Sequence, residues 1–329
     1  MKPIVTFYDT KPYDKIYFEE LGSSYPFEIN YLESKLNKKS AILAKGSEVI
    51  VSFVNDTLDE EALRRLEEAG VKMIALRCAG FNHVDLKYAK DRFVIARVPA
   101  YSPYAVAEHT LGLILTLNRK LHRAYNRTRE YNFSLNGLIG FDLNQKTIGI
   151  IGTGKIGRTF MQVISGLGMN ILAYDPYPLE NSNIHYVSFD ELCSQSDIIS
   201  LHCPLTKESY HIIDREAIQK MKDGVFLINT SRGALIDSEA LLDGIKEQKI
   251  GAAGLDVYEE ETDLFYEDYS DTIIQDDTLA RLITMPNVIV TSHQAFLTKE
   301  ALKEIADQTL KNINCYFTHT PLPEQVIVK

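Results

Sequence analysis

Three charged side chains follow apolar runs in the second half of the chain: Arg232 in Asn-Thr-Ser-Arg-Gly, Glu261 just beyond Leu-Asp-Val-Tyr, and His293 in Val-Thr-Ser-His-Gln. A guanidinium can grip a carboxylate through two parallel hydrogen bonds, which fixes the orientation of a small acid as an ammonium would not. Histidine carries a proton near neutral pH. A carboxylate beside it favours the imidazolium and holds one tautomer, which suits a general acid. Reduction of a 2-keto acid by hydride needs these three functions: an anchor for the carboxylate, a proton for the carbonyl oxygen, and a group that keeps the proton donor charged. Each residue alone also has a plainer reading. An arginine after a strand contacts a phosphate or a surface partner, and a histidine fills a structural niche. Glu261 stands among Glu259, Glu260 and Asp263, and such an acidic run reads as a solvated loop. Spacing leaves the choice among these acids open.

A hydride needs a carrier, and the middle of the chain supplies a place for one. From Ile148 the sequence reads Ile-Gly-Ile-Ile-Gly-Thr-Gly-Lys-Ile-Gly, and a second apolar run, Ile-Leu-Ala-Tyr, ends at Asp175. An apolar strand, G-x-G-x-x-G, a helix and a second strand closed by an acid form the dinucleotide-binding βαβ pattern. Gly152 allows the tight turn, Gly154 the approach of backbone to a pyrophosphate, and Gly157 close packing of helix on sheet. The pyrophosphate is expected at the helix N-terminus, where free N–H groups and the dipole favour anions. Asp175 is expected on the adenosine ribose, and its charge disfavours the extra phosphate of NADP, so NAD is the expected cofactor.

Short buried strands are predicted over Ile4 to Tyr8, Val49 to Phe53, Met73 to Leu76 and Phe93 to Val98. Thr57-Leu-Asp-Glu60 reads as a capping box that opens a helix running to Ala69. Ser102-Pro103 reads as an N-cap with proline at the first helical position, starting a long helix through Val106, Leu113, Leu117 and Leu121. Six further strands are predicted over 147–151, 171–174, 198–202, 225–229, 252–257 and 288–291, the number of a full doubly wound sheet. A last amphipathic helix, 298–316, is then free to return to the first half. The expected fold is therefore α/β, with two doubly wound parallel-sheet (Rossmann-like) domains. An NAD-binding domain, 101–298, is inserted into a discontinuous substrate-binding domain, 1–100 and 299–329. Two chain crossings of one cleft would make a natural hinge.

The 329 residues exceed what one core usually supports. A formal net charge of −10 disfavours nucleic acid and membrane surfaces as partners. The basic stretch His122 to Arg129 is the local exception and reads as a solvated helix face or a subunit contact. Four cysteines, Cys78, Cys193, Cys203 and Cys315, show neither C-x-x-C pairing nor metal-ligand spacing, so no metal is expected. They suit a reduced, cytoplasmic setting. The N-terminal apolar run is too short for a signal peptide, and none approaches the roughly 18 residues of a membrane helix.

Eight separated motifs then carry a resemblance: Arg77-Cys-Ala-Gly-Phe-Asn82, Val98-Pro-Ala-Tyr-Ser-Pro103, Ala107-Glu-His109, Gly152-Thr-Gly-Lys-Ile-Gly157, Leu201-His-Cys-Pro-Leu-Thr206, Asn229-Thr-Ser-Arg-Gly233, Leu255-Asp-Val-Tyr258 and Ser292-His-Gln-Ala-Phe296. In this order, over nearly the whole chain, they resemble the D-isomer-specific 2-hydroxyacid dehydrogenases, and within that family its bacterial fermentative D-lactate-forming branch. The resemblance implies that Arg232 anchors the substrate carboxylate, that His293 is the acid/base and that Glu261 pairs with it. It implies further substrate contacts from Ala79, Gly80 and Tyr101, with Phe296 at the methyl end. On the cofactor side it implies Lys155 and Ile156 near the pyrophosphate, and Cys203, Pro204, Thr230, Ser231 and Asp256 along the nicotinamide path. The D configuration of the product comes from the resemblance alone. Asn82 departs from the aspartate common in the family, and the acidic segment 262–277 is longer than in its shortest members, as a subunit contact or a surface insertion.

The expected reaction is reversible, NADH-dependent reduction of pyruvate to D-lactate. A bulkier 2-keto acid is the alternative substrate, since one methylene changes discrimination by only about 1–3 kcal/mol. An NAD(H)-sensing regulator of the corepressor kind is the alternative from another class, because it would share the glycine motif and the three charged residues. A homo-oligomer, dimer or tetramer, is the expected assembly.

Overall fold

The computed structural model describes residues 2–260 and 264–328. The chain forms two compact units, Met1–Ser102 with Leu297–Lys329, and Pro103–Phe296.

In the first unit, five parallel strands, β1 (Ile4–Phe7), β2 (Glu28–Tyr31), β3 (Val49–Ser52), β4 (Met73–Leu76) and β5 (Val94–Ala96), lie in the order β2-β1-β3-β4-β5. β3 and β4 are uniformly apolar or small and buried throughout, as strands covered on both faces must be. The helix Lys299–Phe317 is capped by Thr298, whose hydroxyl accepts from the N–H of Ala301. It adds Ala306, Leu310 and Ile313 to the core built on Val5, Phe7, Phe18 and Val49. The C-terminal end of the chain thus completes the core of the first unit. The cap of the helix Glu60–Ala69 differs from the capping box expected at Thr57. Asp59 is the cap, its carboxylate accepting from Ala62 N–H at 2.8 Å, because an aspartate next to the first turn outcompetes a threonine two residues earlier.

In the second unit, β6 (Thr147–Ile151), β7 (Asn170–Tyr174), β8 (Ile198–Leu201), β9 (Val225–Asn229), β10 (Ile250–Leu255) and β11 (Val288–Val290) form a parallel sheet ordered β11-β10-β9-β8-β6-β7. A single parallel bridge, Ala173 to Tyr186, adds one rung outside β7. With that rung the order matches a doubly wound dinucleotide-binding sheet, and the direction of winding reverses between β6 and β8. The long helix expected from Pro103 through Leu121 is two helices, Pro103–Arg119 and Leu121–Arg129. Lys120 between them takes a left-handed φ of 50°, which breaks the i to i−4 ladder. The first helix buries Leu113, Ile114 and Leu117 against Ile148, Ile150 and Ile228 of the sheet, whereas the second, basic helix buries none of its residues.

Candidate active site

The glycine motif makes the turn between β6 and the helix Lys155–Ile164. Gly152 has φ 97°, and a Cβ there would lie 2.6 Å from the backbone N of Cys203. Only glycine fits that approach between β6 and the end of β8. A Cβ on Gly157 would stand 2.1 Å from the carbonyl oxygen of Gly152, so the helix rests directly on the turn. Gly154 is the N-cap, without a side-chain cap, and a Cβ there would meet nothing within 4 Å. The first N–H groups of this helix, with Lys155 and Ile156, thus edge an open face that fits the pyrophosphate of a dinucleotide.

Asp175, at the end of β7, accepts from Thr153 N–H at 2.7 Å, Thr153 Oγ1 at 2.9 Å and Tyr177 N–H at 2.9 Å. Partial burial works against its charge, but these bonds hold the carboxyl below the ordinary range. The acid therefore also clasps the glycine turn, and Tyr186 joins the clasp through a 2.9 Å bond to Thr153 Oγ1. Behind the turn, His202 is pushed down to about 3 by burial and is held neutral, 2.9 Å from Ser200 Oγ and packed on Phe160.

Arg232 and His293 sit on one edge of the same sheet. Asn229, Leu255 and Val290 end β9, β10 and β11 in register, and Arg232 and His293 each follow three residues later. Gly233 lets the loops after β9 and β10 meet, since a Cβ would fall 2.0 Å from the backbone of Tyr258. Arg232 is half-buried, with its backbone carbonyl held by Asn229 Nδ2 at 2.8 Å and Nη1 donating to Ser231 carbonyl at 2.6 Å. Among the described residues no carboxylate is paired with it. Ser231 Oγ donates to the Cys203 carbonyl at 2.6 Å, and Thr230 Oγ1 bonds Thr110 Oγ1 at 2.9 Å, so the segment carrying Arg232 is fastened to β8 and to the helix Pro103–Arg119. Burial pushes the Cys203 thiol up to about 11, so it is a neutral wall rather than a nucleophile. Pro204 beside it is exposed.

His293 takes a left-handed φ of 50°, a conformation that costs a non-glycine residue energy and persists only where its surroundings impose it. Asp256 imposes it. The Asp256 carbonyl accepts His293 N–H at 2.7 Å. The carboxylate, fully buried, accepts from Thr291 Oγ1, from Gln294 N–H at 2.9 Å and from Ala295 N–H at 2.8 Å. His109 Nε2 lies 3.2 Å from Thr291 Oγ1 and 3.4 Å from the same carboxylate. Asp256, expected along the nicotinamide path, therefore has its carboxylate engaged in shaping the turn that presents His293. Tyr266 donates to the His293 carbonyl at 3.1 Å, and Phe265 is buried in the core. At least this part of the acidic segment 262–277 is anchored to the histidine turn.

Glu261 lies outside the described residues. Its neighbour Glu259 is engaged elsewhere, 2.6 Å from His211 Nε2. Phe296 is buried at the end of the second unit. Ala79, Gly80 and Tyr101 are half-buried in the first unit, the first two in the turn after β4. Sequence reasoning missed the structural parts played by Thr153, Thr291 and Tyr266. Thr153 was visible within the glycine motif, whereas the other two act through backbone geometry that no local pattern encodes.

Residues 111–295 match the family model for the D-isomer specific 2-hydroxyacid dehydrogenase, NAD binding domain. A 2-hydroxyacid dehydrogenase homolog of Haemophilus influenzae is 54% identical over 94% of this chain and 95% of its own. The D-lactate dehydrogenase of Escherichia coli is 52% identical over 93% of this chain and 94% of its own. Among solved structures, the pyruvate reductase of Chlamydomonas reinhardtii superposes with a TM-score of 0.92 at 44% identity, over 98% of both chains. With the glycine turn and the strand-end residues in place, this chain belongs to the D-isomer specific 2-hydroxyacid dehydrogenases and is an NAD-dependent enzyme of that family.

Proposed function

We propose that the chain reduces pyruvate to D-lactate with NADH, reversibly, using Arg232 to bind the carboxylate and His293 as the acid/base. Bound NADH supplies the hydride. Arg232 presents a half-buried guanidinium free of any carboxylate among the described residues, and a two-point grip on the keto acid gives that charge a partner. His293, just past the end of β11, gives a proton to the carbonyl oxygen as that oxygen gains charge, and takes it back in the reverse direction. Glu261 is assigned the part of keeping His293 protonated. Ala79, Gly80 and Tyr101 are assigned to the substrate carboxylate, and Phe296 to its methyl end. Arg232, without a carboxylate partner among the described residues and on the same sheet edge as His293, is the observation that carries this reading. The activities named for the relatives from Escherichia coli and Chlamydomonas reinhardtii support the choice of pyruvate and lactate.

The same proposal includes a homo-oligomer. Tyr131, Phe133, Leu135 and Ile139 are 71–86% exposed just after the basic helix, an apolar strip suited to a second copy of the chain. The four cysteines are thiols, which suits a reducing cytoplasm. Two variants test the chemistry. His293→Gln should lower kcat about 100-fold or more with little change in keto-acid KM, within the range of general acid catalysis. Arg232→Lys should raise keto-acid KM and also lower kcat. Near-wild-type turnover by both would remove these residues from the reaction.

A further inference from the structure

The turn Cys78–Phe81, assigned above to the substrate carboxylate, is gripped by one side chain of its own unit. Arg97 Nη1 donates to the carbonyl oxygen of Ala79 at 3.0 Å, and the guanidinium lies 5.1 Å from the centre of the Phe81 ring. The Arg97 backbone is itself fixed from two directions. Its N–H donates to Val326 carbonyl at 2.8 Å, and its carbonyl accepts from Nδ2 of the buried Asn312 at 3.0 Å. Around it, Ala96 pairs antiparallel with Ile327, and Val328 N–H donates to Ile95 carbonyl at 3.0 Å. The C-terminal segment and the helix Lys299–Phe317 thus set where this guanidinium can reach.

The carbonyl of Ala79 and the N–H of Gly80 belong to one planar trans peptide, so they point in opposite directions. Holding the oxygen on one side therefore aims the Gly80 N–H to the other. A cation on the oxygen also polarises that peptide and strengthens its N–H as a donor. Among the described residues no carboxylate pairs with Arg97, and its Nε is buried without a partner. Arg77, which precedes the same turn, shows the contrast. It is 1% exposed and pairs with Asp14 at 3.3 Å and Asp9 at 3.7 Å. A half-buried cation left unpaired favours the arrival of an anion nearby.

We propose that Arg97 is a positioning residue for the substrate carboxylate: it orients the Ala79–Gly80 peptide so that the Gly80 N–H faces the anion, and its positive charge attracts that anion without touching it. This rests on the reading that the turn binds the keto acid. The experiment measures pyruvate kinetics, NADH affinity by fluorescence titration, and amide hydrogen exchange of the 76–82 segment for the wild type, Arg97→Met and Arg97→Lys. Arg97→Met should raise pyruvate KM about tenfold, with kcat within about threefold and NADH affinity unchanged. Its KM should depend less on salt than that of the wild type, and its 76–82 amides should exchange faster. Arg97→Lys should fall between the two, since it restores the charge but not the planar grip. A folded Arg97→Met with wild-type KM overturns the proposal, as does a KM that worsens only in step with NADH affinity. If Arg97→Met fails to fold, Arg97→Lys decides: a raised KM supports the proposal and a wild-type KM overturns it. If the wild type itself reduces no keto acid, the functional reading has failed. If Arg232→Lys weakens pyruvate binding while the Arg97 variants do not, only this inference has.

Discussion

Replacing Asp256 by asparagine changes one acceptor into a donor at a site with no exposed surface. In the native protein one carboxylate oxygen takes bonds from Thr291 Oγ1 and Gln294 N–H, and the other takes Ala295 N–H at 2.8 Å. The amide oxygen of asparagine can keep the first two. Its NH2 then faces Ala295 N–H, donor against donor, and a buried N–H loses its partner. Leaving one such group unsatisfied costs about 1–3 kcal/mol, and the lost bond was charge-assisted, so about 2 kcal/mol is the working figure. For a body of this size that corresponds to a fall of about 4–8 °C in Tm. The functional effect should exceed the stability effect, because the disturbed turn holds His293 in its left-handed conformation. We expect Asp256→Asn to remain folded and bind NADH with near-native affinity while kcat for keto-acid reduction falls at least about tenfold. Thermal unfolding, NADH fluorescence titration and steady-state kinetics together decide this. A variant with unchanged Tm and unchanged kcat would show that the buried carboxylate does not organise the histidine turn.

Two further outcomes follow from the glycine turn and the histidine behind it. Gly157→Ala forces a methyl group to within 2.1 Å of the Gly152 carbonyl, which only backbone movement can relieve. Overpacking of this kind costs about 1–3 kcal/mol, and NADH affinity should fall at least about tenfold in a titration. His202, held down to about 3 in the folded protein, binds a proton near its ordinary pKa once unfolded. The unfolded state then carries more protons between about pH 6.5 and pH 3, so this contribution is complete above pH 6.5 and is lost as pH falls through that window. Across that window the slope should be on the order of 1 kcal/mol per pH unit. Urea unfolding at pH 7, 5.5 and 4.5 should therefore show a smaller acid loss for His202→Asn than for the wild type, and parallel losses would refute the assignment.

Strands of continuous apolar residues were legible because both of their faces are covered. β3, β4, β8 and β9 fall where the apolar runs place them. β2 was not, since this edge strand, Glu-Ile-Asn-Tyr, is half-exposed and carries polar residues at alternate positions, which dilutes the apolar signal. The break at Lys120 was missed for a different reason: helical periodicity continues across it, and a single left-handed residue leaves no mark on the apolar pattern. Arg232 and His293 could be picked out because charged residues just past buried strands arrive at one edge of a parallel sheet, where ligands bind. The choice of Glu261 among neighbouring acids came from family resemblance and concerns a residue outside those described. What the residue order could not disclose is how these side chains are held. The Asp256 bonds to Gln294 and Ala295 join a strand end to backbone N–H groups 38 and 39 positions away. The Arg97 grip on Ala79 depends on backbone pairing with a segment more than 200 residues later.

Purified enzyme supplied with NADH and a panel of 2-keto acids, pyruvate among them, and assayed for product with stereospecific lactate reagents, reveals both the substrate and the configuration of its product. NADH should be oxidised rapidly with pyruvate, in preference to branched and aromatic keto acids, and the product should react only as D-lactate. Preference for a bulkier keto acid, formation of L-lactate, or NADH binding without oxidation by any substrate would contradict the proposed reaction.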